Sequence, residues 1–279
     1  MEVKTYFGFR FKDLKIKPFN SKIYLAEKVK ECKNIEQEKI KNLGIGKFCI
    51  VEQVPGFAHM IEGLKLSEFD YEEKIKNRIT ALSQLCENEC FSNYLGWIRT
   101  KTKHFLFYEY DQKENFLTKY EEKKSWDKDD LQRFKDFVKA YKVLKDKKIL
   151  HRIIRPEFIF IKNEQLKIVL FTFSCCSDEE LKTTIKDHDH YYYYSKESNE
   201  KNKRYDIKLD IHFIGCLFFF MLFGVQLKND ESIKSIVEKK LETIKDLPIK
   251  KILRGCLEEY EEGKIKFDDL YQEVSNAWK

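Results

Sequence analysis

Residues Ile149–Ser174 read ILHRIIRPEFIFIKNEQLKIVLFTFS, and this stretch decides the fold. It contains two largely apolar segments, Phe158–Lys162 and Leu166–Phe171, which are typical of short strands. The polar pair Asn163–Glu164 between them favours a tight turn. The stretch therefore predicts a loop that leads into a short β pair.

The first third of the chain has the pattern of a sheet with one helix. Five segments read as strands: apolar and polar residues alternate in the first two, the third follows the turn Gly44–Gly46, and the last two form a hairpin around Thr100–Thr102. These segments are Met1–Ile16, Ser21–Lys30, Lys47–Val54, Tyr94–Arg99 and Lys103–Tyr110. In contrast, Phe69–Cys86 places its apolar residues at helical spacing, which predicts one amphipathic helix.

The rest of the chain has the pattern of helices. The predicted helices are Asp127–Leu144, Asp210–Phe223, Asp230–Lys245, Pro248–Tyr260 and Phe267–Trp278. The first of them begins at Ser125 or Asp127, which are both common capping residues. Asp178–Lys203 is polar and has little periodicity, so it is predicted to be a loop. This order of elements indicates an α+β fold.

The composition disfavours two classes of function. The 53 Lys+Arg and 47 Asp+Glu give a formal charge of 53 − 47 = +6, with both signs interspersed along the chain. A nucleic-acid binder more often carries a basic stripe, so no nucleic-acid partner is expected. Only 10 of the 279 residues are Gly, whereas an average usage of about 7% would give roughly 20. Few glycines are therefore left for a loop that cradles phosphate.

The sequence also bears on location. Met1–Lys12 has no apolar core of a secretory signal. The longest apolar run, Ile211–Val225, is shorter than the roughly 20 residues that span a bilayer, so a buried core helix is expected. Without a signal, the eight cysteines are expected to be reduced thiols in the cytoplasm. Cys86 and Cys90 lack an obvious second pair of ligands, so no zinc site is predicted.

The order of elements, together with the opening stretch, resembles the eukaryotic protein kinase family. A family catalytic loop reads H-R-D-x-K-P-x-N and is followed by a hairpin and D-F-G. His151 and Arg152 match its first two residues, and the likeness is most specific from residue 140 to 225. The resemblance implies a bilobal fold, with a small β-rich N-lobe carrying one main helix at 1–110 and a larger helical C-lobe at 111–279.

This chain departs from the family where the chemistry lies. Ile153 stands in place of the catalytic Asp, Phe158 in place of the metal-binding Asn, and Leu170 and Thr172 at the ends of D-F-G. Phosphoryl transfer needs bound Mg²⁺ and a carboxylate that orients the acceptor hydroxyl. Apolar side chains supply neither, because Mg²⁺ prefers oxygen ligands. The resemblance therefore implies a pseudokinase with no catalytic residue, no metal and no cofactor.

Other family positions are retained, and their implied roles are structural. His151 and Phe171 belong to a packed spine in the family, and Asp210 ties the catalytic loop to the helical core. Glu197 is a weak counterpart of the A-P-E glutamate, with Lys264 or Arg254 as its basic partner. The sequence thus keeps family positions that support architecture.

The nucleotide pocket allows two registers. In the first, SKIYLAEK is the second strand and KFCIVEQV the third, with Val51 where the family places its strand Lys. In the second, Gly44 and Gly46 open a G-x-G-x-x-G-x-V loop that lacks its third Gly, and Lys65 is the strand Lys. Arg78 stands near the place of the helix Glu in either case. Both registers stay open from the sequence.

One polar loop carries two further candidates. Asp187–His190 reads DHDH, but no further metal ligands are fixed by the sequence, so a solvated loop is favoured over a metal cluster. The adjacent residues Tyr191, Tyr192, Tyr193 and Tyr194 form a run that suits phosphorylation or contact with a partner.

The sequence therefore predicts an inactive kinase-like domain that acts as a protein-binding scaffold or as an allosteric subunit of a larger assembly. A cytoskeletal assembly is one option. The kinase-like domain is expected to be the whole protein. The alternatives are a nucleotide-binding sensor and an unconventional ATP-dependent transferase, with Asp178, Glu179 and Glu180 as relocated carboxylates.

Overall fold

A computed structural model describes twenty-one separate parts of the chain. The residues described are 4–6, 9–13, 22–31, 40, 43, 45, 47–55, 79, 82, 85, 91–100, 103–110, 114–121, 126–151, 154–156, 159–162, 164–168, 175–176, 207–227, 233–257 and 265–277.

The chain divides into two compact units. Unit 1 comprises Met1–Glu114, Phe160–Lys162 and Lys167–Thr172. Unit 2 comprises Asn115–Ile159, Asn163–Leu166 and Phe173–Lys279. The lobe boundary between residues 110 and 111 stays a prediction.

Unit 1 contains a six-stranded antiparallel sheet in the order β1-β2-β3-β4-β6-β5. The strands are β1 (Lys4–Tyr6), β2 (Phe9–Asp13), β3 (Lys22–Lys28), β4 (Phe48–Pro55), β5 (Tyr94–Arg99) and β6 (Lys103–Glu109). The sequence predicts five strands because Met1–Ile16 has the alternation of a single strand. That segment instead forms two strands that pair with each other, with Tyr6 opposite Phe9. Gly8 lies between them in the sequence and is a residue type that favours turns.

A hydrophobic cluster of unit 1 lies on one face of this sheet. Alternate side chains of a strand share a face. Besides the buried Lys28, this face carries a set of buried apolar side chains. They are Phe9, Phe11, Ala26, Cys49, Val51, Phe105 and Phe107, with Ile40 packed against them. The rings of Phe9 and Phe107 lie 5.3 Å apart. The apolar residues of this face recur at alternate positions along the strands, and such a pattern indicates a strand.

The amphipathic helix predicted over Phe69–Cys86 is described at three positions. Ile79, Leu82 and Leu85 are helical, and Leu82 and Leu85 are buried. Their spacing of three residues places them along one face of a helix. The remaining residues of that segment lie outside the described residues.

Helices dominate unit 2. They are α1 (Phe116–Glu121), α2 (Lys128–Asp146), α3 (Ile207–Phe223), α4 (Ile233–Thr243), α5 (Leu247–Leu257) and α6 (Phe267–Asn276). The five longer helices correspond to the five predicted ones, with ends that differ by a few residues. The sequence does not predict α1, which is too short at six residues to show helical periodicity. Asp127, one of the two predicted caps, is the N-cap of α2.

Short strands complete the fold. They are β7 (Glu114–Asn115), β8 (Ile149–Leu150), β9 (Ile159–Lys162), β10 (Gln165–Ile168) and β11 (Cys175–Cys176). Strands β9 and β10 form the predicted β pair, and β7 joins them in the order β10-β9-β7. Strand β11 pairs antiparallel with β8.

Helix α3 forms the centre of the helical core. The ten consecutive residues from Phe213 to Leu222 are buried, which confirms the predicted core helix. Phe218 stacks on Phe134 of α2, with ring centroids 3.9 Å apart. At Gly215 an added Cβ would lie 2.5 Å from the Cβ of Cys256 on α5, so only Gly allows this approach. None of the described helices is long and apolar enough to cross a membrane.

Candidate functional site

The site contains Asp210, a buried carboxylate in the first turn of α3. Only 1% of the surface of Asp210 is exposed. Its Oδ2 atom accepts a hydrogen bond from the backbone N–H of His151, at 3.0 Å, and another from the phenolic O–H of Tyr141. A buried carboxylate is costly unless such donors satisfy it. Asp210 therefore joins three segments: α2, the chain after β8, and α3.

Each donor reaches Asp210 for a local reason. Tyr141 belongs to the buried stripe of α2, and a buried tyrosine usually finds a partner for its O–H. His151, also buried, directly follows β8, where Leu150 pairs with Cys175 of β11. The backbone pairing of β8 and the bond to Asp210 together fix the start of the loop.

A second buried cluster lies at the other end of α2. Asp130 Oδ1 accepts hydrogen bonds from the O–H of Tyr120, at 2.8 Å, and from the guanidinium of Arg133, at 3.1 Å. The same guanidinium contacts Glu164, which lies in the turn between β9 and β10. Burial, followed by the charge of Asp130, raises the pKa of Tyr120 far above its usual range. The hydrogen bond from Arg133 lowers the pKa of Glu164. In the folded state Tyr120 is therefore a neutral donor and Glu164 is ionised.

Sequence reasoning does not find this second cluster, although two signals for it are present. Asp127 and Asp130 have the spacing of a capping box, and they form one: the Asp127 side chain accepts from the Asp130 N–H, and Asp130 accepts from the Asp127 N–H. Arg133 also falls within the buried stripe of α2, and a buried Arg needs acidic partners. The partner Glu164 is not predictable, because it lies 31 residues away in a turn.

The structure describes few of the residues that the sequence singles out. His151 and Asp210 are brought together, and Val51 lies in the apolar core of unit 1. Arg254, one candidate partner of Glu197, lies 3.4 Å from Glu238. The candidates outside the described residues are Gly44, Gly46, Lys65, Arg78, Arg152, Ile153, Phe158, Leu170, Phe171, Thr172, Asp178, Glu179, Glu180, Tyr191, Tyr192, Tyr193, Tyr194, Glu197 and Lys264.

Metal-ligating and thiol side chains are dispersed over the described parts of the chain. Within the residues that the structure describes, no three His, Cys, Asp or Glu side chains are grouped as a metal site would require. Cys49, Cys216 and Cys256 are buried thiols outside any disulfide. The segment at 187–190 and the pair Cys86 and Cys90 lie outside the described residues.

The family model of the protein kinase domain matches residues 37–273 of the chain. The strand pairing favours the first register of the nucleotide pocket, whereas the matched range favours the second. Strand β4 pairs with β3 on one side and β6 on the other, as the first register requires. The match begins after β3 and includes Gly44 and Gly46, as the second register requires.

The matched range also includes both clusters and every degenerate position of the catalytic loop. No curated protein matches the sequence. A match over 37–273 covers well over half of the 279 residues, and the sheet and helices described above fit it. The chain belongs to the protein kinase domain family.

Proposed function

We propose that this chain is a catalytically inactive protein kinase domain, a pseudokinase, that works by binding other proteins. The observation that carries the proposal is the set of apolar residues Ile153, Phe158 and Leu170 at the catalytic and metal-binding positions. All three lie inside the range matched by the family. Thr172, in place of the D-F-G glycine, supports the same conclusion.

The physical argument rests on what phosphoryl transfer requires from the protein. The transferred phosphoryl group carries charge that Mg²⁺ neutralises, and a carboxylate must orient the attacking hydroxyl. Ile153 has no atom that accepts a proton, and neither Phe158 nor Leu170 offers an oxygen to a metal. A single loss leaves room for compensation by a neighbour. Three apolar replacements remove both functions and disfavour a hydrated ion.

The contacts of Asp210 support the other half of the proposal. A chain that lost its chemistry by decay of the fold would not be expected to keep a buried carboxylate satisfied by Tyr141 and His151. The roles of Phe171 in a packed spine and of Glu197 in an ion pair are proposed on the family resemblance. We infer that the architecture is retained because a partner uses it.

The proposed role is that of a scaffold or an allosteric subunit in a multi-subunit assembly in the cytoplasm. The tyrosine run at 191–194 is the candidate contact for a protein partner, since aromatic residues are enriched in interfaces. No nucleic acid is proposed as a partner, because the charges are interspersed. Association with the cytoskeleton is one form such an assembly takes.

Thermal unfolding with ATP, with and without Mg²⁺, tests the proposal. A ligand at one hundred times its Kd stabilises a protein by about 2.7 kcal/mol, which is easily detected. We expect no stabilisation in either condition and no autophosphorylation. The triple variant Ile153→Asp, Phe158→Asn, Leu170→Asp is the matched control, and it is expected to gain Mg²⁺-dependent stabilisation by ATP. Stabilisation of the unmodified chain that requires Mg²⁺, together with autophosphorylation, would overturn the proposal.

A nucleotide sensor is the second candidate, and one observation favours it. The family match includes the Gly44-x-Gly46 segment and Lys65, which are the nucleotide-binding positions of the second register. Stabilisation by ATP that is equal with and without Mg²⁺, and that is lost in Lys65→Met, would support the sensor. An unconventional transferase would in addition transfer phosphate in a manner that depends on Asp178, Glu179 or Glu180.

A further inference from the structure

Arg133 contacts two groups at once: Asp130 in the first turn of α2 and Glu164 in the turn between β9 and β10. Its side chain is 8% exposed. One terminal nitrogen donates to Asp130 Oδ1 at 3.1 Å, and Nε donates to the backbone carbonyl of Glu164 at 3.2 Å. The second terminal nitrogen contacts the Glu164 carboxylate. Arg133 thus binds Glu164 by main chain and side chain at once, which fixes both its position and its orientation.

The buried end of this arrangement, at Asp130, is held by further hydrogen bonds. Asp130 Oδ1 accepts from Tyr120 O–H at 2.8 Å, and Oδ2 accepts from the backbone N–H of Asp127 at 2.9 Å. Asp130 and Tyr120 are both buried. The guanidinium is therefore oriented by α1 and the start of α2 before it contacts the turn. The outer member differs, because the Glu164 side chain is 69% exposed.

The backbone of Glu164 explains why such a hold is needed. Its φ is 62°, in the left-handed region that is unfavourable for a residue with a Cβ. Glycine or asparagine is the usual occupant of such a turn position. A glutamate there is compensated by two hydrogen bonds to a charged group, each stronger than a neutral one.

We propose that Arg133 is a positioning residue that clamps the β9–β10 turn to α2. The contacts of Arg133 with Asp130 and Glu164 then fix the conformation of the turn without a bound nucleotide or metal. The proposal rests on contacts within unit 2 and stands whether or not the chain is inactive. It adds to the proposed function that the surface around the hairpin is constitutively ordered. The clamp consists of a buried pair, Asp130 and Arg133, and an exposed residue, Glu164. Substitutions can therefore test the two parts separately.

Hydrogen exchange followed by mass spectrometry tests the clamp, with Glu164→Ala as the main variant. This substitution removes the exposed carboxylate and leaves the buried Asp130–Arg133 pair intact, so the chain is expected to fold. Exchange of the amides in 159–168 should rise about tenfold, because opening of the turn no longer breaks a charge-assisted bond. Glu238→Ala is the matched control, since it removes a carboxylate 3.4 Å from another arginine, Arg254. It should leave exchange in 159–168 unchanged.

Arg133→Met supplies the second arm. It should raise exchange in 159–168 at least as much as Glu164→Ala, because it removes the bonds to the Glu164 carbonyl and carboxylate together. The double variant should add little to Arg133→Met alone, since the carboxylate contact is already lost. The clamp is refuted if Glu164→Ala leaves 159–168 at the unmodified rate. It is also refuted if exchange rises equally in α3 and α6, which indicates a general loss of stability.

Adding Mg²⁺ and ATP to the unmodified chain and to Glu164→Ala separates the clamp from the proposed function. We expect no change of exchange in 159–168 in either protein. If Mg²⁺ and ATP slow amide exchange of 159–168 in Glu164→Ala, the claim that the turn is ordered without nucleotide is overturned. Binding of ATP that leaves these rates unchanged would favour the nucleotide sensor over the scaffold and support the independence of the clamp.

Discussion

The two buried clusters of the helical unit satisfy their carboxylates in different ways. Asp210 lies in the core and takes hydrogen bonds from a phenol and a backbone N–H. Asp130 pairs with the guanidinium of Arg133, which extends to an exposed glutamate. A core carboxylate held by two neutral donors depends on each of them, whereas the exposed Glu164 end of the second cluster has water as an alternative partner. The Asp210 cluster should therefore be the more sensitive to substitution.

Replacement of Asp210 by alanine is the strongest test of this difference. The change leaves the Tyr141 O–H and the His151 N–H without their acceptor in a dry site, at about 1–3 kcal/mol for each donor. We expect the free energy of unfolding to fall by about 3 kcal/mol or more, as measured by urea denaturation. Asp210→Asn keeps an acceptor oxygen and should cost about half as much. A loss below about 1 kcal/mol for Asp210→Ala would show that the carboxylate does not organise the core.

Gly215→Ala asks whether the Asp210 cluster depends on the placement of α3. The new Cβ would lie 2.5 Å from the Cβ of Cys256, so α3 and α5 must move apart. Overpacking of this kind costs about 1–3 kcal/mol, from which a gain of about 1 kcal/mol in helix propensity is subtracted. Thermal or urea unfolding should show a net loss of up to about 2 kcal/mol.

Gly255→Ala on α5 is the control for that substitution. Its new Cβ would lie 3.2 Å from the Cβ of Ile265, a contact that small shifts relieve. The propensity gain should roughly cancel the strain, so stability should change little. Equal losses in the two variants would show that the approach of α3 to α5 is not specially close at Gly215.

A matched pair of Tyr→Phe substitutions compares the clusters directly. Tyr141→Phe removes one of the two hydrogen bonds described at Asp210, whereas Tyr120→Phe leaves Asp130 with Arg133 and the N–H of Asp127. Each lost bond is worth about 1 kcal/mol. We expect Tyr141→Phe to cost more than Tyr120→Phe in urea unfolding. The reverse order would show that the ion pair depends on its phenol more than the core carboxylate does.

The two clusters also show what a sequence discloses. Asp210 is identifiable from the sequence alone because it occupies a family position after a recognisable loop. The contact of Arg133 with Glu164 is not, because it joins a helix to a turn 31 residues away and Glu164 has no sequence pattern of its own. Long amphipathic helices and strands can be predicted from the period of their apolar residues, since one face of each is apolar. The two-strand start of the sheet and the six-residue helix α1 are missed because short elements carry too few residues to show a period.

The smallest expected effect concerns Lys148, which connects α2, the helix that carries both Tyr141 and Arg133, to β8. Its φ is 57°, and it directly follows the C-cap residue Lys147, whose φ is −86°. Glycine is favoured at this left-handed position after a helix because it has no Cβ to clash with the carbonyl oxygen. Lys148→Gly should therefore stabilise the protein by about 0.5–1 kcal/mol, measured as a rise in the urea midpoint.

Lys147→Gly is its control, because an ordinary φ gives glycine no advantage and only its entropy cost of about 0.5–1 kcal/mol remains. Opposite signs for the two neighbours would identify backbone strain as the cause. If Lys148→Gly destabilises as much as Lys147→Gly, the side chain of Lys148 contributes more than the strain costs. The junction between α2 and β8 would then be held by a third side-chain contact in addition to the two clusters.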